Sequence, residues 1–367
     1  MTAPDAPLPE PERTGPRRAG DGGTLAFVES PVQLLNVLEW AHVRFRDDAA
    51  ALTLVVLPPH DPMTRGQLRR MAQLARDEGH VVDWSEARGT TSAPLKTVLR
   101  LARPLRAARR IVIGDPFSRY VQLLLALSGE AADLTVVDDG TATMEFTAQL
   151  AGGAKRLTRW HRSGAGGPGA LLFAPVSGRA RRRLTPRRGR AVELFSAMPV
   201  EVPEGIDVVE NAFAWTRERF GPPALIEGTD LVGTSLAETG VVDADRYVEA
   251  VRSLARAHGA VRYFAHRREG MEKLHRIAVE CGVEIVRPDL PLELVARRGP
   301  VARTVLSFPS TVVHTLPLAL ADTGVRVAVC DVDRAWLTDA ASPRAHGFLS
   351  GVTATARGAH RLRTSAP

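Results

Sequence analysis

Polar residues that could do chemistry gather in four short stretches, each standing between an apolar run and a helix-like pattern. Open parallel sheets bind ligands beyond the carboxyl ends of their strands, so these junctions are where a site is expected. The first is Glu29-Ser30-Pro31-Val32-Gln33. Ser30 suits a cap for the helix that Pro31 begins, or the loop offers its amides and Gln33 to a substrate. The second, Asp138-Asp139-Gly140-Thr141, sets two carboxylates side by side. Their repulsion raises one pKa and prepares a general base, although Asp and Gly are also ordinary turn residues. The third is His266-Arg267-Arg268-Glu269-Gly270. Flanking cations oppose protonation of the imidazole and a bound phosphate would favour it, which suits an acid aimed at a phosphate leaving group. An exposed loop histidine reads equally well. The fourth, Ser307-Phe308-Pro309-Ser310-Thr311, can turn two hydroxyls and the first amides of a helix toward an anion, or simply cap that helix. Between these last two, Pro291-Leu292-Glu293 puts an acid at a helix start, where it favours the dipole or holds a ribose diol.

The elements that must hold these stretches alternate along the chain. Apolar runs beginning at Thr24, Leu52, Val81, Arg110 and Leu134 predict strands, with amphipathic helices between them. The pattern resumes with strands near Asp230, Val261, Glu284, Thr304 and Val325, again separated by helices. Short strands alternating with longer helices predict parallel sheets covered on both faces. The organisation expected is a disordered lead over 1–23, a first α/β unit over 24–229, a second over 230–348 and a loose tail over 349–367.

The chain has 367 residues, 44% hydrophobic and 24% charged, enough for two domains with a core each. No apolar run approaches the ~20 residues of a membrane helix, and the N-terminus shows no secretory pattern. Cys281 and Cys330 lack metal-ligand spacing and read as buried free thiols, which fits a cytoplasmic setting. The net charge of +7 is local. Residues 151–190 hold eleven basic residues and no acidic one, so the rest of the chain carries −4. Glycines interleave these charges, which predicts a loop or insertion and not a packed element. It reads as a solvated linker, as a surface for a polyanion or an anionic membrane face, or as a nucleic-acid contact. No nucleic-acid recognition motif accompanies it, so no nucleic-acid partner is expected.

Taken in order, the motifs resemble those of the bacterial sialyltransferase and polysialyltransferase group, in particular its actinobacterial polysialyltransferase family proteins. Phe27-Val28-Glu29-Ser30-Pro31-Val32-Gln33 resembles that group's opening, and Asp138-Asp139-Gly140 its paired-acid-Gly motif. Val232-Gly233-Thr234-Ser235 resembles the entry to its second domain. His266 falls at the His-Pro motif, with Arg267 in place of the proline, and Ser310-Thr311 falls at the Ser-Ser/Thr motif. The resemblance spans roughly Thr24 to Asp331 and is weakest through the basic segment.

The resemblance implies an α/β fold of two Rossmann-like domains facing a cleft, the GT-B type. It implies inverting transfer of a nonulosonic acid, of the sialic acid or Kdn kind, from its CMP-activated form to a glycan or cell-envelope acceptor. The first domain, with the basic insertion, would take the anionic acceptor, and the second would take CMP. Asp138 is the expected base, with Asp139 as the alternative, and His266 the acid at the phosphate. Glu293, Ser310, Thr311, Arg267 and Gly233 would bind the donor, and Ser30, Gln33 and Gly140 would form the acceptor loop. No cofactor or essential metal is implied, and the setting is cytoplasmic, extending to peripheral contact with the inner membrane face. Two other readings fit the same residues: another GT-B nucleotide-sugar transferase or epimerase, and a basic polyanion-binding α/β protein without activity.

Overall fold

Runs such as LTLVV and RIVI carry too little polar surface for a sheet with a wet face, and both are almost wholly buried. The computed structural model describes residues 23–45, 52–88, 93–129, 132–159 and 168–339, then 347, 349, 351, 352, 355 and 360–362. The predicted lead, Gly23 apart, lies outside the described residues.

Strands β1 (Thr24–Val28), β2 (Leu52–Val56), β3 (Val81–Trp84), β4 (Arg110–Ile113), β5 (Asp133–Val137), β6 (Val192–Ser196) and β7 (Ile206–Glu210) form the first sheet. Their order is β3-β2-β1-β4-β5-β6-β7, parallel throughout. Helices α1 (Pro31–Arg44) and α2 (Pro62–Asp77) cover one face. The other face carries α3 (Ala93–Ala107), α4 (Arg119–Leu127), α5 (Thr141–Ala151) and α6 (Pro168–Arg183). A short α7 (Ala214–Phe220) returns to the first face and leads into the second sheet.

That sheet comprises β8 (Leu225–Val232), β9 (Ala260–Phe264), β10 (Glu284–Val286), β11 (Val301–Ser307), β12 (Arg326–Cys330) and β13 (His360–Leu362). Its order is β10-β9-β8-β11-β12-β13, again parallel. Helices α8 (Ala244–His258), α9 (Met271–Cys281), α10 (Leu292–Arg298) and α11 (Val312–Ala319) complete it. In each unit the first strand lies between its successor and a strand reached by crossing back. The topological switch points are thus β1/β4 and β8/β11, where parallel sheets open a crevice. This is the expected fold class: two Rossmann-like domains facing a cleft.

The core of α1 ties the first domain together. Trp40 is fully buried, and its indole N–H donates to Glu193 Oε1 on β6 at 2.8 Å. Glu193 also accepts from Thr135 on β5 at 3.3 Å, so one buried carboxylate joins a helix and two strands. Truncating Trp40 to alanine would cost about 3–5 kcal/mol.

Several expectations need correction. The basic stretch is not a loose insertion, because α6 occupies most of its second half. Ala180 and Leu184 are buried in the first core, and Ser177 bonds the Leu157 backbone at 3.2 Å. Arg183 is buried and donates to Ser128 Oγ at 3.2 Å. Arg190, also buried, donates to the carbonyls of Arg182 and Thr185 at 2.7 and 2.6 Å, satisfying the end of α6. The tail expected to be loose contributes β13, which pairs with β12, and Val352 is buried against Val313 and Val329. The expected division at 229/230 cuts β8, which begins at Leu225. Both cysteines are free, but Cys281 is only half-buried. No helix among the described residues is long and apolar enough to cross a membrane.

Candidate active site

Loops at the two switch points face each other across a cavity of about 390 Å³. Ser30, Asp138, Asp139 and Gly140 line it from the first domain. Gly233, His266, Arg267, Glu293, Ser310 and Thr311 line it from the second. Of the expected site residues only Gln33 is missing from the wall.

The two aspartates that close β5 differ sharply. Asp138 is buried and all of its acceptor capacity is used. Its Oδ1 accepts from Thr143 Oγ1 at 2.6 Å and Gly140 N at 3.1 Å. Its Oδ2 accepts from Ser196 Oγ at 3.0 Å and Ala197 N at 3.3 Å. It fixes the turn and ties β5 to the end of β6, and this leaves no lone pair directed at an acceptor. Asp139 keeps its side chain 20% exposed. Burial, then the nearby Asp115, pushes its pKa up to about 7, against stabilising contacts from Gln33, Arg159 and Arg267. That is the range a general base needs near neutral pH.

Gln33 sits beneath this carboxylate and not on a substrate loop. It is buried against Gly114, where any Cβ would overlap it. Its Oε1 accepts from Glu29 N at 2.7 Å, and its side chain bonds Asp139. Ser30 caps α1, accepting from Gln33 N at 3.2 Å. Two further residues beside Asp139 carry no pattern in the sequence. Asp115, just past β4, pairs with Arg159 at 3.1 Å, and Arg159 lies 3.9 Å from Asp139. A single Asp after a strand carries no spacing signal, and Arg159 was one cation among eleven.

The histidine loop follows β9. Glu269 is buried, accepts from His266 N at 2.6 Å and from Tyr263 Oη at 2.7 Å, and pairs with Lys273 at 2.8 Å. A Cβ on Gly233 would overlap both the Glu269 carboxylate and the Tyr263 hydroxyl, so glycine is needed there to let the loop close. His266 Nδ1 accepts from Arg268 N at 3.2 Å, which leaves the ring proton on Nε2. Burial and the cations Arg267 and Arg268 push its pKa down to about 4. The free protein therefore carries a neutral imidazole with an N–H to donate.

Glu293, in the first turn of α10, is buried and accepts from Thr315 Oγ1 at 2.5 Å. Burial raises its pKa, and Asp138 adds to that. Thr311 caps α11, yet its hydroxyl bonds none of that helix's amides. Ser310 Oγ lies 3.4 Å from Ser307 Oγ. Hydroxyls beside the positive end of a helix can seat an anion, and Ser310, Thr311 and the start of α11 line the cavity wall. Gln67 Nε2 donates across the cleft to Pro288 O at 2.8 Å, holding the two domains together beside it. Among the described residues no three His, Cys, Asp or Glu side chains converge as a metal site.

No protein-family model matches the sequence, and no curated protein matches it either. Solved structures do. The chain is similar to an alpha/beta-galactoside alpha-2,3-sialyltransferase from Photobacterium phosphoreum, with TM-score 0.50 and 9% identity over 93% of this chain and 98% of that one. It is similar also to a putative UDP-N-acetylglucosamine 2-epimerase from Listeria monocytogenes, with TM-score 0.51 and 10% identity over 93% and 92%. At such identities the likeness shows the fold, which is of the GT-B type.

Proposed function

We propose that the chain is an inverting glycosyltransferase that moves a nonulosonic acid from a CMP-activated donor to an acceptor hydroxyl. The observation that supports this most is the meeting, in one cavity, of a near-neutral carboxylate from the first domain with an imidazole N–H and an anion seat from the second. A general base on one wall and a leaving-group site on the other suit single displacement at the anomeric carbon.

In this reading Asp139, and not Asp138, takes the acceptor hydroxyl's proton while the new glycosidic C–O bond forms. The bond from the anomeric carbon to the phosphate oxygen breaks with its electron pair going to CMP. His266 Nε2–H, Ser310, Thr311 and the start of α11 stabilise the charge that grows on that phosphate. Phosphate binding also raises the His266 pKa toward a value at which it can deliver a proton. Arg267 adds a cation between the phosphate and the Asp139 carboxylate, and Glu293 takes the ribose diol in this reading. The anomeric carbon of a nonulosonic acid bears a carboxylate, so the transition state is strongly oxocarbenium-like and departure of the phosphate is the step to assist.

The test is a donor screen. CMP-sialic acid and CMP-Kdn should release CMP faster with a glycan acceptor than without, while UDP-N-acetylglucosamine should be inert. Turnover or epimerisation of the UDP-sugar with no use of either CMP-sugar would overturn the donor assignment and leave another GT-B enzyme.

A further inference from the structure

Three of the four helices on the second face of the first sheet carry no acidic residue, α5 with Glu145 being the exception. Helices α3, α4 and α6 together contain nine basic residues and not one Asp or Glu. Taking these nine from the net +7 leaves the remainder of the chain at −2. Helix α4 packs against both of the others, so the three form one continuous surface.

The outward stripes of α3 and α6 share a pattern. On α3, Lys96, Leu99, Arg103 and Arg106 are exposed, and on α6, Leu172, Pro175, Arg179 and Arg182 are exposed. Both sets have spacings of three, four and three, which put each on a single helix face. Leu99 is 66% exposed and Leu172 82% exposed, whereas Val98, Leu101 and Leu105 of α3 and Ala180 of α6 are buried. Lys96, Arg103, Arg106, Arg179 and Arg182 pair with no carboxylate among the described residues. Between the two stripes runs a groove of about 550 Å³ with an apolar floor that includes Leu123, Leu127 and Val176, rimmed by Arg106 and Arg179.

We propose that this layer is a docking surface for an anionic lipid bilayer. A soluble polyanion needs only the cations; two exposed leucines and an apolar groove among them gain nothing from it. A bilayer uses both, the arginines at the headgroups and the leucines in the acyl boundary. Helices that follow or precede parallel strands start at the carboxyl edge of the sheet. Leu99 and Leu172, in the first halves of their helices, therefore lie toward the edge on which the cavity opens. The surface stands independently of the donor proposed above.

The experiment is co-sedimentation of the full chain with phosphatidylcholine vesicles, with and without about 30% phosphatidylglycerol, at low and moderate salt. Binding is expected to the mixed vesicles and not to pure phosphatidylcholine. Leu99→Ser/Leu172→Ser should weaken it at least about tenfold, and Arg106→Ser/Arg179→Ser about 25-fold. All four positions are exposed, so both variants should melt like the parent. Failure of the parent to bind anionic vesicles overturns the proposal. So does binding that the leucine pair does not weaken, which, with equal retention on dextran sulfate, would hand the face to a soluble polyanion.

Discussion

Gly140 and Thr311 close the cavity between the two domains: a Cβ on Gly140 would lie 3.0 Å from Thr311 Cγ2 and 3.3 Å from its Oγ1. Gly140 also has φ +61°, so glycine is required there twice, by conformation and by space. Gly140→Ala should lose about 1–3 kcal/mol of stability and most of the transfer activity. Thr311→Ser removes the nearest methyl and should recover part of that loss in the double variant. Additive effects in a denaturation cycle would mean that the two loops do not touch.

The paired acids should separate by experiment. Asp138→Asn leaves four donors short of a full acceptor and should destabilise by about 1–3 kcal/mol, seen as a lower Tm. Asp139→Asn should do the opposite at high pH. The folded pKa of Asp139, about 7, lies above the ordinary 3.8, so its charge opposes folding. That penalty is absent below 3.8, grows between the two values, and is complete above 7. The variant should therefore melt higher than the parent well above pH 7 and equally below 3.8. Equal melting at both ends would show that Asp139 is not strained.

As the proposed base, the same carboxylate should set the pH dependence of turnover. A base acts when deprotonated, so kcat/KM should rise as pH passes through about 7. Asp115→Asn removes a like charge and should move this limb down, and Arg159→Gln removes a cation and should move it up. A limb that stays in place in both variants would detach it from Asp139.

The proposed phosphate seat predicts a loss of nucleotide affinity. Ser310→Ala/Thr311→Ala should weaken CMP binding by about 1–3 kcal/mol. Unchanged affinity by calorimetry would remove both hydroxyls from the site.

How far the sequence revealed all this follows from where the signal was local. Most of the first five strands were legible as short apolar runs, although Asp83 interrupts β3, and the strand-end motifs located the cavity wall. Strand β6 hid because Glu193 interrupts it, and only the tertiary fold shows that charge paired with Trp40 and Arg44. Edge strand β7 is largely exposed and alternates too weakly to be read. The choice between Asp138 and Asp139 depended on Thr143 and Ser196, the latter 58 residues away. Gln33 looked like a loop side chain until β4 brought Gly114 against it. In the basic stretch, glycine and arginine content masked α6. Neutralising Arg181, Arg182 and Arg183 together would therefore not probe this stretch as a surface for a polyanion. Arg183 is buried, and Arg181 holds the Ala154 carbonyl at 3.1 Å, so that variant would disturb the fold first.

The most direct measurement pairs transfer with donor binding in Asp139→Asn. CMP release from CMP-sialic acid should fall by about 10²–10⁴-fold in the presence of acceptor, while calorimetry shows CMP affinity nearly unchanged. Transfer at the parent rate by Asp139→Asn would contradict the account, because its partner Asp138 has every acceptor position filled and cannot take over the proton.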